Sequence, residues 1–319
     1  MSARSGVLAA AAIVVLAVTV VFGAAPALAA SKPKPVAPDQ PMISFPLPHS
    51  PGHEFFPNAQ NLADGNSKNG PLLLFLPATR AVPADYRSFL DTASDEGFHV
   101  LALDYWNRGK SVVRTCAGIP QCYAAVQRNR FDGSDPTAWS AIAPEDSILT
   151  RLRAALSYLR TSDPRGGWAK YATGNHIHWS TIVVAGHSQG GGQSAFIAHN
   201  HRVHGALMFS SPVQADNGVP ATWMLRHGAT PASRLFGFVN SHDMYYRNVV
   251  DSWKTMGMGE PVPAGPGLVF RTSNTVVSTR DVGTPGQSHL STVFDSTPRN
   301  SHGVPIYEST WRWMLQQVR

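Results

Sequence analysis

The stretch TIVVAGHSQGGGQSAF, Thr181 to Phe196, runs β-forming and apolar residues into a serine set among four glycines and then turns helical. A strand that passes straight into a helix must bend sharply. Gly186 and Gly190 flank Ser188 in the pattern GxSxG, which removes side-chain bulk on both sides of such a bend. The bend lifts the Ser188 hydroxyl clear of the backbone. It also puts the amide of Gln189 at a helix N-terminus, where unpaired N–H groups can hold a developing oxyanion. A chain built around this unit needs a parallel sheet to seat the strand, with its ligand site beyond the carboxyl ends of the strands.

The rest of the sequence supplies that sheet. PLLLFLP (Pro71 to Pro77) is a continuous apolar run suited to a strand buried on both faces. ADYRSFLDTASDEG (Ala84 to Gly97) is helical in pattern, FHVLALDY (Phe98 to Tyr105) a strand, and EDSILTRLRAALSYLR (Glu145 to Arg160) an amphipathic helix with Ile148, Leu152, Ala155 and Leu159 on one stripe. Downstream of the serine, HGALMFSS and SRLFGFVNS read as strands, GLVFRTS as the last strand candidate, and VPIYESTWRWMLQQ as the last helix. Alternating strands and helices predict βαβ units and a mostly parallel sheet with helices on both faces. Residues 107–144 interrupt the rhythm and form an excursion over one end of the sheet, above the site. Trp106, Trp139, Phe131 and Tyr105 lie in or beside it, either as walls of an acyl pocket or as core.

With TIVVAG before it and a helical pattern after it, the Gly186-His187-Ser188-Gln189-Gly190 elbow resembles that of the α/β-hydrolase superfamily, a resemblance covering most of the chain from about Pro71 onward. It implies an α/β-hydrolase fold and a triad in the chain order serine, acid, histidine. Ser188 is then the nucleophile. Asp243, directly after the strand SRLFGFVNS, is the acid, with Asp216 one strand earlier as its rival. Among histidines beyond Asp243 the base is His289, in a polar loop after the last strand, with His302 as the alternative. His187, next to the serine, is expected to pack beneath the elbow. The resemblance puts the second oxyanion donor, beside Gln189, in the loop after the early buried strand, at the amide of Ala78 or Thr79. The implied chemistry is hydrolysis of a small-molecule or lipid ester through an acyl-enzyme, with no cofactor. An acyltransferase on the same elbow and a non-catalytic exported binding protein are the alternatives.

Composition bears mainly on location. Residues 1–29 carry Arg4 as their one charged side chain, an apolar run from Gly6 to Gly23, and APALAA, in which Ala27 and Ala29 fit a signal-peptidase site. Cleavage there, with secretion or residence in the cell envelope, is the expectation; a retained membrane anchor is the alternative. The remaining 43–319 domain follows a Pro-rich tether, residues 30–42, and without residues 1–29 the net charge falls from +6 to +5. That balance is modest and unclustered, which favours solubility or transient membrane or cell-envelope association over nucleic-acid binding. Cys116 and Cys122 are the two cysteines, and in an exported chain a close, even pair predicts a local disulfide. With no further cysteine and no HExxH pattern, no metal site is expected.

Overall fold

The early apolar run becomes β3 (Leu72–Leu76), every residue of which is fully buried. Its side chains alternate between two cores, as the period of a strand requires. Leu72, Leu74 and Leu76 join the cluster that holds Leu152, Ala155 and Leu159 of α4 (Ile148–Ser162), Phe196 and Ile197 of α5 (Gln189–Asn200), and Trp253 of α6 (Tyr246–Thr255). Leu73 and Phe75 join the opposite cluster, built on Phe89 and Leu90 of α1 (Arg87–Asp95) and Trp311, Met314 and Leu315 of α8 (Glu308–Gln317). Helices therefore cover both faces of the sheet.

The computed structural model describes residues 42–50, 60–64, 70–264 and 273–319. The expected signal peptide, residues 1–29, and, apart from Met42, the expected tether, residues 30–42, lie outside the described residues. The main sheet also contains β1 (Ile43–Phe45), β2 (Asn61–Asp64), β4 (His99–Ala102), β5 (Ile182–His187), β6 (Gly205–Phe209), β7 (Leu235–Asn240), β8 (Val262–Pro263) and β9 (Thr275–Ser278). In space the order is β1-β2-β4-β3-β5-β6-β7-β9-β8. From β4 through β8 all pairings are parallel, while β2 runs antiparallel to both β1 and β4. The sheet is thus mostly parallel, as the alternation of elements required.

The last strand lies later than the sequence reading put it. Apart from Ser273, GLVFRTS lies outside the described residues, and the strand beside β7 is β9, which begins at Thr275. Within the excursion 107–144 the chain is partly helical, which the sequence reading did not specify. It holds α2 (Val112–Cys116), capped by the Ser111 hydroxyl, and α3 (Pro120–Asp132), which opens on a proline and closes on left-handed Gly133. The Cys116–Cys122 disulfide, with an S–S length of 2.03 Å, ties α2 to α3.

Candidate active site

The elbow sits at the end of β5, the strand between β3 and β6. Ser188 has φ 52° and ψ −115°, a backbone conformation that a residue with a Cβ adopts only when its surroundings enforce it. The enforcing contacts are short. Ser188 N–H donates to the Phe209 carbonyl at 2.9 Å, and the Ser188 carbonyl accepts from Gly192 N–H at 2.9 Å. A Cβ on Gly190 would collide with the Leu76 carbonyl oxygen, and one on Gly186 would lie 2.5 Å from the Gly190 carbonyl carbon. Glycine at these two positions lets helix α5 pass close against β3 and β5.

The partners converge from other strand ends. Asp243 follows β7; its side chain is fully buried, its Oδ1 accepts from Tyr245 N–H at 2.8 Å, and its Oδ2 lies 2.8 Å from Nδ1 of His289. His289 is not in a loop, as its polar neighbours suggested. It belongs to α7 (Pro285–Ser291), where Pro285 opens the helix and Thr284 and Gln287 form a reciprocal capping box. A helix fixes the ring more firmly than a loop would. With Nδ1 held by the carboxylate, Nε2 is the nitrogen left for proton transfer. His289 and Ser188 line one cavity of about 370 Å³.

The rival residues lie elsewhere. Asp216 accepts a hydrogen bond from Gly118 N–H at 2.8 Å and so braces the excursion rather than a histidine. His302 is exposed in a turn, its amide donating to the Asn300 side chain at 2.9 Å. Phe131 and Tyr105 are buried in the core. Trp106 and Trp139 instead line a second cavity beside the first.

The two oxyanion candidates in the loop after β3 also separate. Ala78 N–H donates to the Tyr86 hydroxyl at 3.0 Å, so it is already engaged. Among the described residues no acceptor takes the Thr79 N–H, so of the two amides Thr79 is the one left unengaged. The Thr79 hydroxyl donates to Gln189 Oε1 at 3.0 Å. Residues at the end of β4 pin this loop from behind: Tyr105 Oη donates to the Pro77 carbonyl at 2.8 Å, and Asn107 Nδ2 donates to the carbonyls of Ala78 and Ala81 at 2.6 and 2.7 Å. Their role is absent from the sequence reading, because nothing in a single sequence marks a strand-end Tyr or Asn as a loop anchor.

His187 is buried beneath the elbow, as expected, and does more than pack. Burial drives its pKa well below the ordinary 6.5, and the neighbouring His289 pushes it the same way, so the ring is neutral. One ring nitrogen, Nε2, lies 3.0 Å from the His289 carbonyl, which can only accept; Nε2 therefore carries the proton. Nδ1 must then accept from the Tyr86 hydroxyl at 3.0 Å, and that hydroxyl accepts from Ala78 N–H. Each bond has one permitted direction. The chain Ala78, Tyr86, His187, His289 joins the loop after β3 to helix α7.

No protein-family model matches the chain. No curated protein matches it in sequence. Among solved structures, TT1662 from Thermus thermophilus resembles it with 14% identity, covering 87% of this chain and 98% of that one at a TM-score of 0.44. A sugar hydrolase from Lactococcus lactis gives 13%, 87%, 96% and 0.45. An esterase from the Planctomycetes species Thermogutta terrifontis, with propionate bound, gives 12%, 83%, 90% and 0.41. What the chain itself shows is a mostly parallel nine-stranded sheet with helices on both faces and a serine elbow at the end of β5, the architecture that the α/β-hydrolase resemblance implies. Likeness in backbone course does not say which reaction such a fold performs. Among the described residues no group of three or more His, Cys, Asp or Glu side chains is placed to hold a metal ion.

Proposed function

We propose that this chain is an exported serine hydrolase that cleaves carboxylic esters through an acyl-enzyme. One observation carries the reading: a buried Asp243 carboxylate 2.8 Å from His289 Nδ1, with His289 sharing a cavity with a serine held at positive φ. Ser188 Oγ attacks the ester carbonyl carbon as its proton passes to His289 Nε2. Asp243 holds the ring by Nδ1–H and favours the imidazolium that forms. The negative charge that gathers on the carbonyl oxygen is met by the amides of Gln189 and Thr79, each worth about 3 kcal/mol when well aimed. His289 then returns its proton to the leaving alkoxide. Water, deprotonated by the same nitrogen, attacks the acyl-enzyme and frees the acid and Ser188.

A fluorophosphonate probe tests this directly. Wild-type protein should be labelled at Ser188 and should hydrolyse short 4-nitrophenyl esters, and Ser188→Ala should lose both while keeping its circular dichroism spectrum. Absence of labelling in folded wild-type protein would place the chain among non-catalytic binders.

A further inference from the structure

Beside the catalytic cavity lies a second of about 540 Å³, and the two share Gly109, Lys110 and Arg114 as common wall. Its lining includes Arg108, Lys110, Arg114 and Arg130 and, among the described residues, no Asp or Glu. Arg130, on α3, is the residue that stands out. It is 7% exposed, and its Nε and Nη1 have no hydrogen-bond partner among the described residues. Guanidinium cannot shed its charge to escape burial as a lysine might. The acids nearest in sequence are occupied: Asp132 Oδ1 accepts from Ser134 N–H and Oγ at 2.9 and 2.6 Å, and Asp135 lies 4.0 Å from Arg128. Tyr105, which acts electrostatically on Arg130, has its phenol pushed up to about 12 by burial and is neutral near pH 7. Folding has therefore buried a fixed cation against a cavity wall with no counter-ion among the described residues, an arrangement that is costly unless an anion completes it.

From this we infer that the second cavity is a substrate subsite for an oxyanion group, and that the esters this site takes carry a carboxylate or a phosphate some distance from the scissile bond. The inference rests on the ester-hydrolase reading of Ser188. The guanidinium of Arg130 on the cavity lining can donate charge-assisted N–H bonds to either group, while Lys110 and Arg114, exposed on the shared wall, draw the charged end past the catalytic cavity. Trp106 and Trp139 supply apolar surface for the intervening methylenes.

The test compares three substrates with one leaving group: mono-4-nitrophenyl adipate, 4-nitrophenyl 6-phosphonohexanoate, and the neutral methyl 4-nitrophenyl adipate. Wild-type enzyme should favour at least one anionic ester over the neutral one by tenfold or more in kcat/KM, mainly through KM. Arg130→Met should bring that ratio close to one, Arg130→Lys should leave part of it, and Lys110→Gln should reduce it less. Arg130→Met should also melt no lower than wild type, because it removes an unpaired buried charge. Equal turnover of all three esters by wild type, or a destabilised Arg130→Met with an unchanged ratio, overturns the subsite while leaving ester hydrolysis standing. Should no ester be turned over and Ser188 resist the fluorophosphonate, calorimetric titration of wild-type protein with adipate and with inorganic phosphate still decides. Binding of either that falls tenfold or more in Arg130→Met upholds the anion site, and binding of neither removes it.

Discussion

Beneath Ser188 and on the far wall of the neighbouring cavity, two buried polar regions are treated in opposite ways. Under the elbow, Ala78, Tyr86, His187 and His289 pass a chain of hydrogen bonds in which each donor meets one acceptor. On α3, Arg130 Nε and Nη1 meet none among the described residues. A satisfied network fixes geometry, whereas an unsatisfied charge is poised for something that arrives from outside. On the readings proposed above, the difference separates the part of the molecule that would hold catalytic groups still from the part that would sort substrates.

The strongest way to break this division is to remove the base that the lower network positions. His289→Ala should reduce kcat by a factor on the order of 10⁴ or more. His302→Ala, at an exposed turn, should leave turnover within about twofold, as expected for surface positions. Equal losses in the two variants would mean that the Asp243–His289 pair is structural.

Tyr86→Phe tests the network itself. It leaves Ala78 N–H and His187 Nδ1 without their partner, so stability should fall by about 2–4 kcal/mol. Because the oxyanion loop loses its tether, kcat should fall by roughly 10- to 100-fold, with KM changing less. A variant that melts lower but turns over as before would show the network to be a fold element alone.

Acid titration sharpens the contrast further. His187 is held neutral in the folded protein with its pKa driven well below 6.5 by burial, while in the unfolded chain it takes up a proton near that value. The unfolded state then binds more protons, so this contribution to stability is complete above about pH 6.5 and is lost as pH falls, at up to about 1.4 kcal/mol per pH unit. Urea unfolding at pH 7, 6 and 5 should show that slope reduced by about one proton in His187→Gln. The smallest effect should come from the roof. Reducing Cys116–Cys122 opens a short loop worth about 2 kcal/mol, and it should raise protease sensitivity within 107–144 while the sheet's melting changes little.

Much of the site was written in local pattern. GxSxG between a strand and a helix is a short-range signal, because the bend, the small flanking residues and the helix amide all lie within a few positions of Ser188. Chain order also singled out Asp243 and His289, each after a late strand, and the structure brings these two side chains to 2.8 Å of each other. The setting of His289 was misread: polar residues around it suggested a loop, but Thr284, Pro285 and Gln287 cap a helix. The choice between Ala78 and Thr79 turned on Tyr86 at the end of the next turn, a contact that no periodicity reports. The antiparallel β1 and β2 went unread because strands of three and four residues carry too little pattern to register.

The sequence by itself determined the alternating elements, the buried parallel sheet, the elbow at Ser188 and the cysteine pair, because each depends on neighbours a few residues away along the chain. Tertiary structure decided which carboxylate meets which imidazole, which amide of the loop after β3 is left unengaged, and that Arg130 is buried with no counter-ion among the described residues. Those outcomes depend on groups brought together across 46 residues between Asp243 and His289, and 101 between Tyr86 and His187. At such separations the partner of a polar group is set by how sheet and helices pack, and the desolvation that makes each partnership matter exists only once they have packed.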